Sequence, residues 1–330
     1  MASFPLLRLP LLALAKVLQC SDPFELLIFA QCSRRATNLV PLSKSKNFRI
    51  ECDSEAKLII KNNDWTIQKL TEESEFKFKC RDFDCYINES NEDKIYLGEE
   101  GSFQELLWYL CDLFKCPIRV IHYSQKLDFG KFSKFLRKVR QRQLSIEKFV
   151  IGDQISHGDT DTMQAKWKNV IGISQSINIS EKLTINVQIP KYFVYTFKKF
   201  PKHLYIAYSS WFTMNNLLQA SSCVSINLQG SRLTKHNMMN FLNRWKQGEF
   251  PNLECLEVFN DAFSRPEPEL PAFEDPLNKV QRNKRIPGNG STVMFKGVKI
   301  RSENGQEAEY RIFGKFFRFI VLSDEDEVVH

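Results

Sequence analysis

Four stretches of the chain repeat one spacing, apolar–x–x–apolar–x–apolar: Ile118/Ile121/Tyr123, Ile146/Phe149/Ile151, Cys223/Ile226/Leu228 and Leu253/Leu256/Val258. The first two start 28 residues apart and the last two 30 apart, the span of a strand, a turn and a helix. A unit of that size cannot bury its own apolar face, so such units stack on one another. Right-handed strand–helix–strand crossovers then set the strands side by side in a parallel or mixed curved sheet. The stretch between the second and third copies breaks the period, so the spacing predicts a degenerate, leucine-rich-repeat-like array.

Around this array, the periodicity predicts helices over Phe103–Phe114, Phe129–Arg142 and Lys235–Lys246. It predicts strands over Ile118–Tyr123, Ile146–Ile151, Leu204–Tyr208, Val224–Leu228 and Leu253–Phe259. From Phe48 to about Leu97 the period is two: Lys57–Ile60 and Trp65–Leu70 flank Asn62-Asn63-Asp64, and Phe76, Phe78 and Cys80 alternate with lysines. This is a small antiparallel β unit. Residues 264–276, with prolines and acids, read as a linker. Thr292–Arg301 and Tyr310–Leu322 then alternate around Glu303-Asn304-Gly305 as a closing hairpin, before a short acidic tail at Asp324 to Glu327.

The beginning, FPLLRLPLLALAKVL, residues 4–18, has a different character. Arg8, Pro10 and Lys16 interrupt its apolar run, which suits neither a secretory signal nor the roughly 20 apolar residues of a membrane span. A short helix that is greasy almost all round must be covered on more than one side. Pro10 fits its first turn, and Ser21-Asp22-Pro23 supplies the cap and first turn of the next helix, Phe24 to Arg35. Helices this short, in so few residues, cannot bury themselves fully.

With 43% apolar residues and 27 Phe among 330, the chain fills a large core and is not disordered. Its nine cysteines form no C-x-x-C pair, and five histidines do not supply zinc-ligand spacing. They read as buried reduced thiols, Cys80, Cys85, Cys111 and Cys116 among them, which points to the cytoplasm or nucleus. No metal or cofactor is implied, and a net charge of +7 permits an acidic partner without requiring one.

Other constellations carry less. KFSKFLRKVRQR, residues 131–142, has six basic residues and no acid. Its Phe132, Phe135, Leu136 and Val139 are spaced as a core face, leaving the charges as the solvated remainder. Nucleic-acid binding through this helix is the alternative function. His157 beside Asp159 and Asp161 would suit acid–base or metal hydrolysis but reads as a polar loop. Pro287-Gly288-Asn289-Gly290-Ser291-Thr292 lacks the lysine of a phosphate loop and reads as a turn. WFTMNNLL, residues 211–218, is a protein-binding hot spot if exposed and the top of a repeat if buried.

The N-terminal stretch LPLLALAKVLQCSDPFELLIFAQCSRR, residues 9–35, resembles an F-box. The resemblance lies in Leu9-Pro10, Val17-Leu18, Asp22-Pro23-Phe24-Glu25-Leu26 and Cys32-Ser33-Arg34-Arg35, in order and spacing; Leu12 and Ser21 depart from the usual pattern. Residues 203–259, with SINLQGSRLT, FLNRWKQG and PNLECLEV, are similar to the type 2 F-box-associated domain of the large nematode-expanded F-box family. This resemblance implies docking on the Skp adaptor of an SCF-type cullin–RING ubiquitin ligase, and through it on the cullin, while the C-terminal region binds an unidentified target protein. Leu9, Pro10, Val17, Leu18, Pro23, Leu26 and Cys32 would face the adaptor or organise the F-box. The chain would then be a non-catalytic adaptor with protein partners, rather than a membrane or nucleic-acid protein.

The expected fold is α+β and α/β: a small helical F-box (3–44), a β-rich segment (45–102), a leucine-rich-repeat-like α/β region (103–263), and a linker, C-terminal antiparallel hairpin and acidic tail (264–330).

Overall fold

The computed structural model describes residues 6–45, 48–52, 58–61, 65–69, 76–80, 83–87, 94–97, 103–124, 129–152, 167–172, 174–264, 281–285, 287, 292–295, 297–322 and 327–329. The chain divides into two compact units, residues 1–146 and 147–330.

The first unit opens with a 3-10 turn, Leu6–Arg8, and three helices: α1 (Leu11–Cys20), α2 (Pro23–Cys32) and α3 (Arg34–Leu39). Local chemistry sets each boundary. Pro10 stands just before α1, and its carbonyl accepts the Leu14 N–H at 2.9 Å. Asp22 and Glu25 form a reciprocal capping box on α2, with backbone-to-carboxylate bonds of 2.7 and 3.0 Å and Pro23 in the first turn. Ser33 ends α2 and caps α3 by accepting from the Ala36 N–H at 3.1 Å, so Phe24 to Arg35 is not one helix.

A sheet follows: β1 (Arg49–Cys52), β2 (Leu58–Lys61), β3 (Trp65–Lys69), β4 (Phe76–Cys80), β5 (Phe83–Ile87), β6 (Lys94–Leu97) and, after α4 (Phe103–Phe114), β7 (Ile118–Tyr123). Its order is β7-β1-β2-β3-β6-β5-β4. Most pairs are antiparallel, but β3 and β6 run parallel, and so do β1 and β7, so this β-rich part is mixed rather than purely antiparallel. Helix α5 (Phe129–Arg142) follows β7. The helical beginning is tied to α4 by the Ser45 hydroxyl donating to the Phe114 carbonyl at 2.8 Å, the Gln31 amide donating to the Tyr109 hydroxyl at 2.9 Å, and an edge contact between Phe48 and Phe114.

The second unit is built on β8 (Ser145–Ile151, its residues from Glu147 on), β9 (Asn178–Ile185), β10 (His203–Ile206), β11 (Ser225–Leu228) and β12 (Cys255–Phe259). Strands β9 to β12 are parallel and in register: Leu183, Leu204, Ile226 and Leu256 form one row, and Ile185, Ile206, Leu228 and Val258 the next. Helices α6 (Met214–Gln219) and α7 (Lys235–Lys246) connect them, each begun by a threonine–asparagine capping box, Thr213 with Asn216 and Thr234 with Asn237. Beneath the sheet lie Phe241 and Trp245 of α7, each in edge contact with Phe319. All twelve residues of the repeated spacing are buried.

Strands β13 (Gln281–Arg285), β14 (Thr292–Phe295), β15 (Val298–Arg301), β16 (Glu307–Phe313), β17 (Phe316–Val321) and β18 (Glu327–Val329) complete the unit. β15 and β16 pair antiparallel on either side of Ser302 to Gln306, and β17 pairs antiparallel with both β16 and β12. The segment Tyr310–Leu322 is therefore two strands, turned back at Gly314, whose φ of +54° favours glycine. Residues 327–329 of the expected tail form β18 and pair with β13. Other boundaries differ from the periodicity: β10 ends at Ile206 rather than Tyr208, and β12 starts at Cys255 rather than Leu253; β9, a run of mixed polarity, has no counterpart in the periodicity.

Candidate partner-binding surfaces

In α1, Leu14 and Leu18 lie one turn apart and point inward, both buried. Three of its large apolar residues are left outward, with Leu11 61%, Leu12 84% and Val17 41% exposed; Ile28 of α2 is 38% exposed. Four large apolar side chains in open water at one small helical cluster are a partner surface unless something covers them. Among the residues singled out from sequence, Pro10, Val17 and Cys32 are exposed and Leu9 is half-buried. Leu18, Pro23 and Leu26 are buried. Those three hold the helices together and do not present side chains outward.

Leu11, Leu12 and Ile28 carry the remaining exposed apolar surface and were not assigned from sequence. The signal was present: once Leu14 and Leu18 are given the core, Leu12 has no core position to occupy. The departure at Ser21 is local, its half-buried hydroxyl donating to the Val17 carbonyl at 3.4 Å.

Helix α5 buries Phe132, Phe135, Leu136 and Val139, while Lys131, Lys134, Arg137, Lys138, Arg140 and Arg142 are exposed. Arg142 pairs with Asp112 and lies 5.1 Å over the Trp108 ring. The sequence 211–218 resolves as core: Trp211, Phe212 and Leu217 are buried, with Phe193 and Phe197 against Trp211. It presents no hot spot.

The second unit's sheet has one apolar and one polar face. Register places Thr184, Tyr205, Asn227, Glu257 and Arg318 in one row across β9, β10, β11, β12 and β17, and Lys182, His203, Ser225 and Cys255 in another. Glu257 is the pivot. One carboxylate oxygen accepts from Arg318 Nε at 2.7 Å, and the other accepts from Asn227 Nδ2 at 2.7 Å. The Asn227 carbonyl in turn accepts from Gln229 at 2.6 Å. Toward β9 the face opens into a groove whose lining includes Lys182, His203, Tyr205, Ser225, Asn227 and Pro287. His203 Nδ1 lies 2.9 Å from the Ser225 hydroxyl. Burial, and then the charge of Lys148, hold the Lys182 ammonium below its ordinary range. Burial also lowers His203, against a smaller opposing pull from Glu181.

The cysteines divide. Cys52, Cys116, Cys223 and Cys255 are buried, and burial pushes the thiols of Cys111, Cys116 and Cys223 up to about 12, far from reactive. Cys20 and Cys32 are exposed, contrary to the expectation that the thiols are buried, because both lie at helix ends facing outward. The side chains of Cys80 and Cys85, the His157 loop and residues 288–291 of the glycine-containing turn lie outside the described residues. Among the described residues no group of three or more His, Cys, Asp and Glu is placed to hold a metal, and no helix is long and apolar enough to cross a membrane.

Comparison with curated proteins and with solved structures gives no match. Two family models do match: one for an F-box domain, over residues 6–48, and one described as F-box associated, over residues 192–258. The first spans the capped helices with their outward leucines, and the second spans β10, α6, β11, α7 and most of β12. The chain thus matches an F-box domain model and, further along, an F-box associated model, the two domains that the sequence resembles and in the same order.

Proposed function

We propose that the chain is the target-recognition subunit of an SCF-type cullin–RING ubiquitin ligase, without chemistry of its own. The F-box domain supports the adaptor role, and the F-box associated domain supports target binding. The observation that carries it is the outward apolar set Leu11, Leu12, Val17 and Ile28 on helices that are otherwise capped and packed. In this reading Pro10, Val17 and Cys32, with half-buried Leu9, meet the Skp adaptor, while Leu18, Pro23 and Leu26 keep the helices in place. The cullin is reached through the adaptor. The parallel strands of the second unit, read as a degenerate leucine-rich-repeat-like array, hold the target near the charged ubiquitin carrier. The contribution to catalysis is then proximity.

The test is binding of purified Skp adaptor to the full chain and to a Leu12→Asp/Val17→Asp variant, with folding followed by circular dichroism. Binding by the parent and loss in the folded variant are expected. A folded parent chain that does not bind the adaptor refutes the proposal. The alternative, nucleic-acid binding through α5, predicts affinity that falls steeply with salt.

A further inference from the structure

Helix α5 of the first unit presents a ridge of positive charge. Lys134, Arg137 and Arg140 follow one another at intervals of three, and Lys138 lies four beyond Lys134, so the four side chains are neighbours on the side away from buried Phe132, Phe135, Leu136 and Val139. The helix itself carries no acid. Asp112 of α4 is taken by Arg142, while Lys134, Arg137, Lys138 and Arg140 pair with no carboxylate among the described residues.

An apolar residue stands at the end of this ridge. Leu144, two residues past α5, is 94% exposed. Gln143 holds it there. Its side-chain carbonyl accepts from the Ile118 N–H at 3.0 Å, its amide donates to the Ile118 carbonyl at 2.7 Å and to the Ser145 carbonyl at 2.8 Å, and its backbone N–H donates to the Val139 carbonyl at 2.9 Å. Turning Leu144 inward would break these bonds, so its exposure is built into the turn. A leucine held in water beside unneutralised cations suits a protein partner, whose interfaces join apolar and charged contacts. A phosphate backbone gains nothing from the leucine, and Phe132 and Phe135, the rings between the cations, are buried and cannot stack on bases.

We propose that α5 and Leu144 together dock an acidic protein segment with an apolar end, its carboxylates along Lys134, Arg137, Lys138 and Arg140 and its apolar side chain on Leu144. From Lys134 to Arg140 the helix rises about 9 Å, the reach of roughly three extended residues. Hydrogen bonds from the guanidinium and ammonium groups to the carboxylates hold the segment. The surface lies outside both family matches, so it adds a contact to the target-recognition reading and does not depend on it.

The probe is a fluorescein-labelled hexaglutamate–dileucine peptide, with hexaglutamine–dileucine, hexaglutamate–diserine and a mixed-sequence RNA oligonucleotide as comparators, titrated by anisotropy into the full chain. Circular dichroism checks the folding of every variant. Hexaglutamate–dileucine is expected to bind most tightly and hexaglutamine–dileucine not at all. Lys134→Gln/Arg137→Gln/Lys138→Gln/Arg140→Gln is expected to weaken binding at least tenfold, and Leu144→Ser at least threefold, with the diserine peptide insensitive to Leu144→Ser. Lys198→Gln/Lys199→Gln, an exposed pair of the second unit, leaves binding unchanged. Adaptor binding, measured on the same preparations, is the same in all of them. Absence of hexaglutamate–dileucine binding by the folded parent overturns the proposal, as does equal loss in the Lys198/Lys199 variant or equal affinity for the dileucine and diserine peptides. Tighter binding of the RNA, lost in the α5 variant, also overturns it and favours the nucleic-acid reading of this helix.

Discussion

Replacing Arg318 by alanine removes the guanidinium that holds Glu257 in the sheet of the second unit. The Arg318 Nε to Glu257 oxygen distance is 2.7 Å, and the two side chains keep only 19% and 11% of their exposure. Removing one partner of a buried pair costs about 3–5 kcal/mol, because the remaining charge has lost both its counter-ion and its water. Here the other carboxylate oxygen retains the Asn227 amide, and some solvent access remains, so the expected loss is about 2–4 kcal/mol. Arg244→Ala serves as the control, since Arg244 and Glu249 are 42% and 41% exposed, where such pairs contribute less than about 1 kcal/mol. Urea unfolding followed by circular dichroism reads both, with an unchanged m-value required for the comparison. If Arg318→Ala costs no more than Arg244→Ala, the Glu257 network does not hold this face together.

Gly152 has a φ of +87°, and a Cβ there would sit 2.1 Å from Val187 Cγ1, so Gly152→Ala is expected to lose at least ~1 kcal/mol in the same assay. Iodoacetamide applied to the native chain is expected to label Cys20 and Cys32 while Cys116, Cys223 and Cys255 react only after unfolding, as peptide mass spectrometry would show. For His203, whose folded value lies below its ordinary 6.5, the unfolded chain takes up the proton first as pH falls. Its contribution to stability is therefore present above about 6.5 and lost as pH drops through that value toward the folded one. His203→Gln should flatten the fall in melting temperature between pH 7 and 5, and an unchanged slope would remove His203 as its cause.

The sequence alone determined the elements whose cause is local. Asp22-Pro23 specifies a helix start through its own backbone bonds, and the spacing of Phe132, Phe135, Leu136 and Val139 specifies which side of α5 is core. The repeated spacing likewise fixed the buried rows of β7, β8, β11 and β12, since a strand with one apolar face has one way to be buried. Tertiary structure decided what depends on distant neighbours. Leu18 and Leu12 are the same residue type six positions apart, but only packing against the rest of the helical cluster buries one and leaves the other 84% exposed. The groove is the same case: Lys182, His203, Ser225 and Asn227 come from three strands, and nothing in the linear order places them together. Their meeting is a property of register, set by the hydrogen bonds between parallel strands, and register joins residues that are some 20 positions apart in the chain.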